Sequence, residues 1–184
     1  MKKLLLHSCC GPCLSSVYKM TEADFEVTPF WFNPNIEPER EFDLRLETFT
    51  TLCKKYKTKP IIEESGFREW QNQIRGLESL PEGGKRCKKC IKFRLTETAK
   101  KAKELNFDIF GTTLSVSPHK DAEMINRLGK EVADRYEVEF LEADFKKNDG
   151  YEKSIELSKK YDLYRQNYCG CRYSDKNFGN FKSS

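Results

Sequence analysis

Short apolar runs alternate along the chain with longer segments in which apolar residues recur every three or four positions. The short runs contain many β-branched and aromatic residues and predict five strands. These are Lys3 to His7, Phe25 to Phe32, Lys59 to Glu63, Phe107 to Thr112 and Val138 to Asp144. The longer segments each have one apolar stripe and predict amphipathic helices, the clearest over Ala122 to Tyr136. Strands that alternate with helices predict an α/β fold with a parallel sheet of about five strands and helices on both faces.

The length of 184 residues fits one α/β domain, residues 1–184, which ends in a cysteine-containing segment and a flexible tail at 178–184. The longest early apolar run, Leu4 to Leu6, is too short for a signal peptide or a membrane span. We therefore expect a cytoplasmic protein that does not associate with membranes. Eight cysteines in a chain of this length are too few for a disulfide scaffold, so reduced thiols are expected.

Residues with reactive or metal-binding side chains follow the predicted strands. Ligands of parallel α/β sheets bind beyond the carboxyl ends of the strands, so these positions are where chemistry is expected. The first strand leads to Cys9, Cys10 and Cys13, the second to Asn33 and Asn35, and the fifth ends at Asp144. One end of the sheet is therefore predicted to be rich in thiols and polar groups.

Seven of the eight cysteines fall into three clusters: Cys9, Cys10 and Cys13; Cys87 and Cys90; and Cys169 and Cys171. Cys53 lies four residues after Phe49 on an apolar stripe and is predicted to be a core residue. The clusters leave three interpretations open. Four thiolates suit a structural zinc ion, distant thiolates with irregular spacing suit an iron–sulfur cluster, and Cys10-Gly-Pro-Cys13 matches the loop of thioredoxin-like dithiol enzymes.

The formal net charge is only +4, but one short segment is strongly basic. Six cations and no acid lie within ten residues around the second cysteine pair: Lys85, Arg86, Lys88, Lys89, Lys92 and Arg94. Such a run can be a solvated helix face or a contact for an anionic polymer. Its position beside candidate metal ligands favours the second interpretation.

Three further features bear on function. Phe30 to Phe32 reads as a buried strand or as a stacking surface for a base, with Asn33 and Asn35 bonding to base edges. His119 lies at a predicted boundary between loop and helix, where a proton donor is plausible. His7 ends the first strand and is expected to be a hydrogen-bonded structural residue.

Five segments in this order resemble the cobalamin-independent epoxyqueuosine reductase family, QueH. They span residues 4 to about 174 and read Leu6-His-Ser-Cys-Cys-Gly-Pro-Cys13, Asn33-Pro-Asn-Ile36, Glu82-Gly-Gly-Lys-Arg-Cys-Lys-Lys-Cys90, Thr113-Leu-Ser-Val-Ser-Pro-His-Lys120 and Tyr164-Arg-Gln-Asn-Tyr-Cys-Gly-Cys171. The resemblance implies a Rossmann-like fold of the adenine-nucleotide alpha-hydrolase type. It also implies reduction of the epoxide of epoxyqueuosine at the tRNA wobble position to give queuosine.

The resemblance further implies a 4Fe-4S cluster and an adjacent mononuclear iron, without cobalamin. The ligand pool it implies is Cys9, Cys10, Cys87, Cys90, Cys169 and Cys171, with Cys13 as a further metal ligand. On this reading His119 or Asp144 supplies protons. The anticodon stem-loop is bound by five polar or basic residues: Asn33, Asn35, Lys88, Lys89 and Arg165. An electron donor that the sequence does not identify is also required. A thioredoxin-like oxidoreductase using Cys10 and Cys13 and a non-catalytic zinc-dependent tRNA-binding protein remain as alternatives.

Overall fold

The computed structural model describes residues 1–174, which are built around one five-stranded sheet. Its strands are β1 (Lys2–His7), β2 (Phe25–Phe32), β3 (Ile61–Glu63), β4 (Ile109–Thr112) and β5 (Glu139–Phe140). All pairings are parallel, and the strand order is β3-β2-β1-β4-β5. The order reverses between β1 and β4, which makes the carboxyl ends of these two strands the expected binding crevice.

Within residues 1–174, six α-helices connect and cover the strands: α1 (Gly11–Thr21), α2 (Glu39–Lys55), α3 (Phe67–Ile74), α4 (Lys85–Glu104), α5 (Ala122–Tyr136) and α6 (Gly150–Lys160). A short 3-10 helix, Thr113–Val116, directly follows β4. Helix α1 packs against α2 and α6, while α4 packs against α3 and α5. The predicted α/β fold class is confirmed.

The sheet separates two apolar cores because alternate residues of each strand face opposite sides. Leu4 and Leu6 pack with Trp31 on one side, whereas Leu5 packs with Phe30 on the other. Phe30 and Trp31 are fully buried, so the core interpretation of this aromatic run is confirmed.

Helix α5 has the predicted bounds because both of its ends are encoded locally. The Asp121 side chain accepts a hydrogen bond from the Met124 N–H (3.1 Å) and caps the first turn. Ile125, Leu128 and Val132 then form its buried face. The helix ends at Glu137, which adopts a left-handed conformation with φ of 56°.

The predicted fifth strand was wrong in extent. Only Glu139–Phe140 pair with β4, and Leu141 adds one further backbone bond to Phe110 (2.8 Å). Strand β4 itself ends at Thr112, so Asp144 has no strand beside it with which to pair. The predicted tail at 178–184 lies outside the described residues.

Within residues 1–174, no helix combines the length and the apolar character that a membrane crossing requires.

Candidate metal centre and substrate cavity

Three cysteines converge where β1 meets α1. The Sγ atoms of Cys9, Cys10 and Cys13 all lie within 4.8 Å of one another. The Cys10 Sγ caps α1 by accepting a hydrogen bond from the Cys13 N–H (3.3 Å), and Gln166 Nε2 donates to the same sulfur (3.0 Å). The amino end of a helix carries partial positive charge, which offsets part of the cost of burying a thiolate.

The three thiols differ in their readiness to ionise. Hydrogen bonds from the Cys10 and Cys13 thiols, with the positive charge of Arg94, hold the pKa of Cys9 well below its usual range. Burial raises the pKa of Cys10 to about 12. A metal ion displaces thiol protons at such sites.

The other four clustered cysteines line a second, smaller cavity beside the first group. Cys87 and Cys90 lie one turn apart at the start of α4, and Cys169 and Cys171 come from the C-terminal segment. The Gly83 N–H donates to the Cys87 Sγ (3.3 Å), and burial raises the pKa of Cys90 to about 11. All seven thiols are free of disulfides.

Several polar atoms of residues around this second cavity are buried without protein partners. Asn35 Oδ1 and Arg86 Nη2 have no hydrogen-bond partner among residues 1–174, and both residues line the cavity. A buried polar group without a partner is destabilising. Inorganic sulfide and thiolate sulfur accept hydrogen bonds, so the Arg86 guanidinium fits a site that holds an iron–sulfur group.

A larger cavity of about 730 Å³ opens next to the sulfur atoms. Cys9, Cys13 and Cys169 contribute to its wall, and Cys169 lines both cavities. The charged groups in its lining are mostly cationic: Arg45, Arg94, Lys120 and Arg165, with Glu82 as the single acid among the described residues. The three cysteine clusters therefore meet at the carboxyl end of the sheet, beside a cavity suited to an anionic ligand.

Lys120 lies between the two cavities and was missed by the sequence analysis. Its Nζ is 3.1 Å from the Cys169 Sγ, and its side chain lines both cavities. Burial alone would lower the pKa of Lys120, but the neighbouring charge of Cys169 raises it above the usual value. The sequence did contain a signal for Lys120, because it directly follows His119, which was the one residue of this segment assigned a role.

The two predicted proton donors differ in position. His119 is exposed and lines the large cavity. Asp144 lines neither described cavity, and its carboxylate lies 3.4 Å from Lys146 Nζ in an ion pair.

The two predicted substrate asparagines are both buried. Asn33 Nδ2 donates to the Ser8 carbonyl (2.9 Å), and Asn33 Oδ1 accepts from Arg94 Nη2 (2.7 Å). Asn33 is therefore held by protein partners on both sides of its amide, whereas Asn35 lines the second cavity. His7 is also structural, as predicted, since it contacts Thr112 Oγ1 (2.9 Å) and burial lowers its pKa to about 3.

The basic run does not form a continuous surface patch. Arg86 and Arg94 are both 2% exposed, and Lys92 forms an ion pair with Glu131 (2.7 Å). The exposed lysines of the run are Lys85, Lys88 and Lys89, at the amino end of α4. Arg86 and Arg94 are therefore not part of the exposed surface of the run, because the rotation of the helix turns them inward toward the cavities.

A parallel sheet with this strand order and thiols gathered at its switch point defines an α/β protein with a cysteine-rich site whose donor atoms suit a metal ion. The sequence model of the family described as epoxyqueuosine reductase QueH matches residues 4–177. The chain belongs to this family.

Relatives agree with this assignment, and a solved structure shares the fold. The epoxyqueuosine reductase QueH of Streptococcus pyogenes is 40% identical over 179 residues, covering 94% of this chain and 70% of that protein. The epoxyqueuosine reductase QueH of Thermotoga maritima is 35% identical over 178 residues, covering 95% and 91%. The solved structure of the U34-tRNA thiolase NcsA from Methanococcus maripaludis with its [4Fe-4S] cluster superposes with a TM-score of 0.58 at 15% identity. That superposition covers 97% of this chain and 63% of NcsA.

Proposed function

We propose that the protein reduces the epoxide of epoxyqueuosine at the wobble position of tRNA and so forms queuosine. The observation that carries this proposal is the cavity of about 730 Å³ in which three thiols stand beside four cations. The names of the relatives support the same reaction. A cationic cavity suits a nucleotide because each nucleotide brings a phosphate.

We propose that the seven clustered cysteines hold a 4Fe-4S cluster and a further iron, and that cobalamin takes no part. The donor set fits: Cys9, Cys10 and Cys13 form one compact group, and Cys87, Cys90, Cys169 and Cys171 line the other cavity. When bound, such iron centres supply single electrons and Lewis acidity that weakens a C–O bond.

The reaction removes one oxygen atom and consumes two electrons and two protons. The epoxide loses both C–O bonds, a carbon–carbon double bond forms, and the oxygen leaves as water. Electrons come from a donor protein or small reductant that the chain does not itself provide. The proton source we assign is His119, since its side chain faces the large cavity and solvent.

The residues of the cavity wall hold and orient the substrate. Arg165 is exposed and lines the cavity, with its Nη1 also bonded to Ser158 Oγ (3.0 Å), so it offers a fixed cation to a phosphate. Lys88 and Lys89 are exposed at the amino end of α4 and extend the positive surface toward the rest of the anticodon stem-loop. Because tRNA and reduced thiols share the cytoplasm, we place the reaction there.

Serine substitution of Cys90 tests the function against a matched control. Cys90→Ser is expected to remove most bound iron and all turnover on tRNA that carries epoxyqueuosine. Cys53→Ser is the control, because Cys53 is a core thiol that is 1% exposed and lies outside the clusters. Full activity and full iron content in Cys90→Ser would defeat the ligand assignment.

The colour and metal content of anaerobically purified protein separate the remaining alternatives. An iron–sulfur protein is brown and releases sulfide in acid. Colourless protein with one zinc per chain would support the non-catalytic tRNA-binding alternative. A Cys10–Cys13 disulfide that exchanges with dithiols would support the thioredoxin-like alternative.

A further inference from the structure

A row of three aromatic rings lies beside the second cavity, and its two outer members face solvent. Phe67 and Trp70 have ring centroids 5.9 Å apart, and Trp70 and Tyr173 have centroids 6.5 Å apart. Phe67 is 41% exposed and Tyr173 is 36% exposed, whereas Trp70 is 1% exposed. Trp70 therefore supports two partly exposed rings. We call Phe67, Trp70 and Tyr173 the aromatic row.

The exposure of these two rings is unusual within the described chain. Five large apolar residues among 1–174 are exposed: Met1, Ile62, Phe67, Leu105 and Tyr173. The two aromatic ones both pack on the same tryptophan. Scattered exposed apolar residues need no explanation, but two rings ordered on one buried support form a defined apolar surface.

The aromatic row borders the proposed active site. Tyr173 follows Cys171, which lines the second cavity, and precedes Ser174, which lines the large one. Trp70 lines the second cavity together with Cys90. A polynucleotide whose modified base enters the large cavity would thus bring a neighbouring nucleotide close to Tyr173.

A guanidinium lies against one ring of the row. The Arg86 guanidinium lies 5.4 Å from the centre of the Tyr173 ring. Lys85, the residue before Arg86 in the chain, is exposed. Aromatic rings next to cations are the combination with which proteins bind single-stranded RNA, because bases stack on the rings while phosphates meet the charges. An acidic protein would also be attracted by the cation, but it has no bases that stack on two exposed rings.

Resting on the proposed function, we propose that Tyr173 and Phe67 form a stacking platform for unstacked bases of the anticodon loop next to the modified base. Stacking on Tyr173 holds the loop open while the modified base occupies the large cavity. The platform binds any base, because each has a flat face, and it therefore contributes affinity without sequence preference.

Binding of a synthetic RNA hairpin tests the platform. The probe is an unmodified anticodon stem-loop with 2-aminopurine beside the wobble position, titrated with iron-loaded full-length protein at several salt concentrations. Tyr173→Leu is expected to weaken binding about tenfold, as loss of one stacked base typically does, without changing the slope of log Kd against log salt. Tyr173→Phe should bind like the wild type, and Phe67→Leu should weaken binding less than Tyr173→Leu.

Leu105→Ala is the matched control, since Leu105 is an exposed apolar residue at the opposite end of α4. It should leave both affinity and 2-aminopurine quenching unchanged. Equal affinity and equal quenching for Tyr173→Leu and wild type would overturn the platform, as would a defect confined to electron transfer from a donor protein. A wild-type protein that neither binds the hairpin nor reduces epoxyqueuosine would instead defeat the proposed function.

Discussion

Arg45 on α2 is joined to Cys169, 124 residues later, by a hydrogen bond of 3.1 Å from Nη1 to the Cys169 carbonyl oxygen. Its Nη2 also donates to the Tyr168 carbonyl (3.0 Å), and its Nε donates to Glu41 (2.6 Å). Arg45 is 2% exposed, so water does not compete for these bonds. The position of the C-terminal cysteines is therefore fixed by a helix that follows the second strand.

Arg45→Met is expected to loosen the C-terminal cysteine segment and leave Glu41 buried without its cation. Breaking a buried pair by removing one partner typically destabilises a protein by about 3–5 kcal/mol. Urea denaturation of the metal-free protein should show this loss, and the iron bound per chain after reconstitution should fall.

Arg45→Lys is the informative comparison, because lysine keeps the charge but cannot form the same three bonds. We expect an intermediate loss of stability for this variant. Full iron binding in Arg45→Met would show that Cys169 is held in place without the arginine.

Lys120→Met is expected to lower the midpoint potential of a bound iron–sulfur cluster, since a nearby cation favours the reduced, more negative form. At a separation on the order of 6 Å and an effective dielectric constant of about 20, one charge contributes about 3 kcal/mol, or on the order of 100 mV. Spectroelectrochemical titration measures the shift directly.

Lys120→Arg should keep a potential near that of the wild type, because it preserves the charge. Lys153→Met removes an exposed lysine that bonds only locally, to the Asn148 carbonyl (3.1 Å), and should leave the potential unchanged. Equal midpoint potentials in Lys120→Met and the wild type would show that the charge of Lys120, although 3.1 Å from the Cys169 Sγ, does not influence the potential of the cluster.

Sequence alone was most accurate where structure is encoded locally. Helix α5 has an Asp cap, a three- and four-residue apolar repeat and a defined stop, so its bounds agreed with the prediction. The extent of β5 depends instead on where β4 ends, and that residue is set by the 3-10 turn of Thr113–Val116. No pattern within 138–144 carries this information.

The candidate site was only partly predictable for the same reason. The thiols were visible as short-spaced clusters, but Arg45 and Arg94 act through partners 124 and 61 residues away. A weak signal existed: Arg45 lies between Phe42 and Phe49 on the apolar stripe of α2, a face that seldom carries an unpaired cation. Similarly, Arg86 and Arg94 are eight residues apart and share the buried face of α4.

Lys88→Ala and Lys89→Ala are expected to weaken RNA binding and to make it less dependent on salt. Each lysine that contacts a phosphate contributes about 0.7–0.9 to the slope of log affinity against log salt. Fluorescence anisotropy with the anticodon stem-loop at a series of salt concentrations gives the slope for each variant.

Lys100→Ala provides a control on the same helix. Lys100 is exposed but pairs with Glu97 (2.6 Å), and it lies about three turns beyond Lys89. Its removal should not change the slope. A slope that stays at the wild-type value in Lys88→Ala and Lys89→Ala would remove the amino end of α4 from the RNA interface.

Gly129 tests the packing of α5 against the edge of the sheet. A Cβ at this position would lie 2.3 Å from Cε1 of Phe140, the last residue of β5, so Gly129→Ala forces the ring or the helix to move. Alanine favours a helix by about 1 kcal/mol over glycine, while overpacking a core typically destabilises by about 1–3 kcal/mol. We expect the cost of overpacking to exceed the gain in helix propensity, because Gly129 lies within a helix and Phe140 within a strand. Gly129→Ala should therefore unfold at a lower urea concentration than the wild type.

Adding Phe140→Leu should recover part of this loss by removing the ring that the new methyl group meets. A double-mutant cycle on the metal-free protein measures that coupling, and additive effects of the two substitutions would show that α5 and β5 are not in contact at this point.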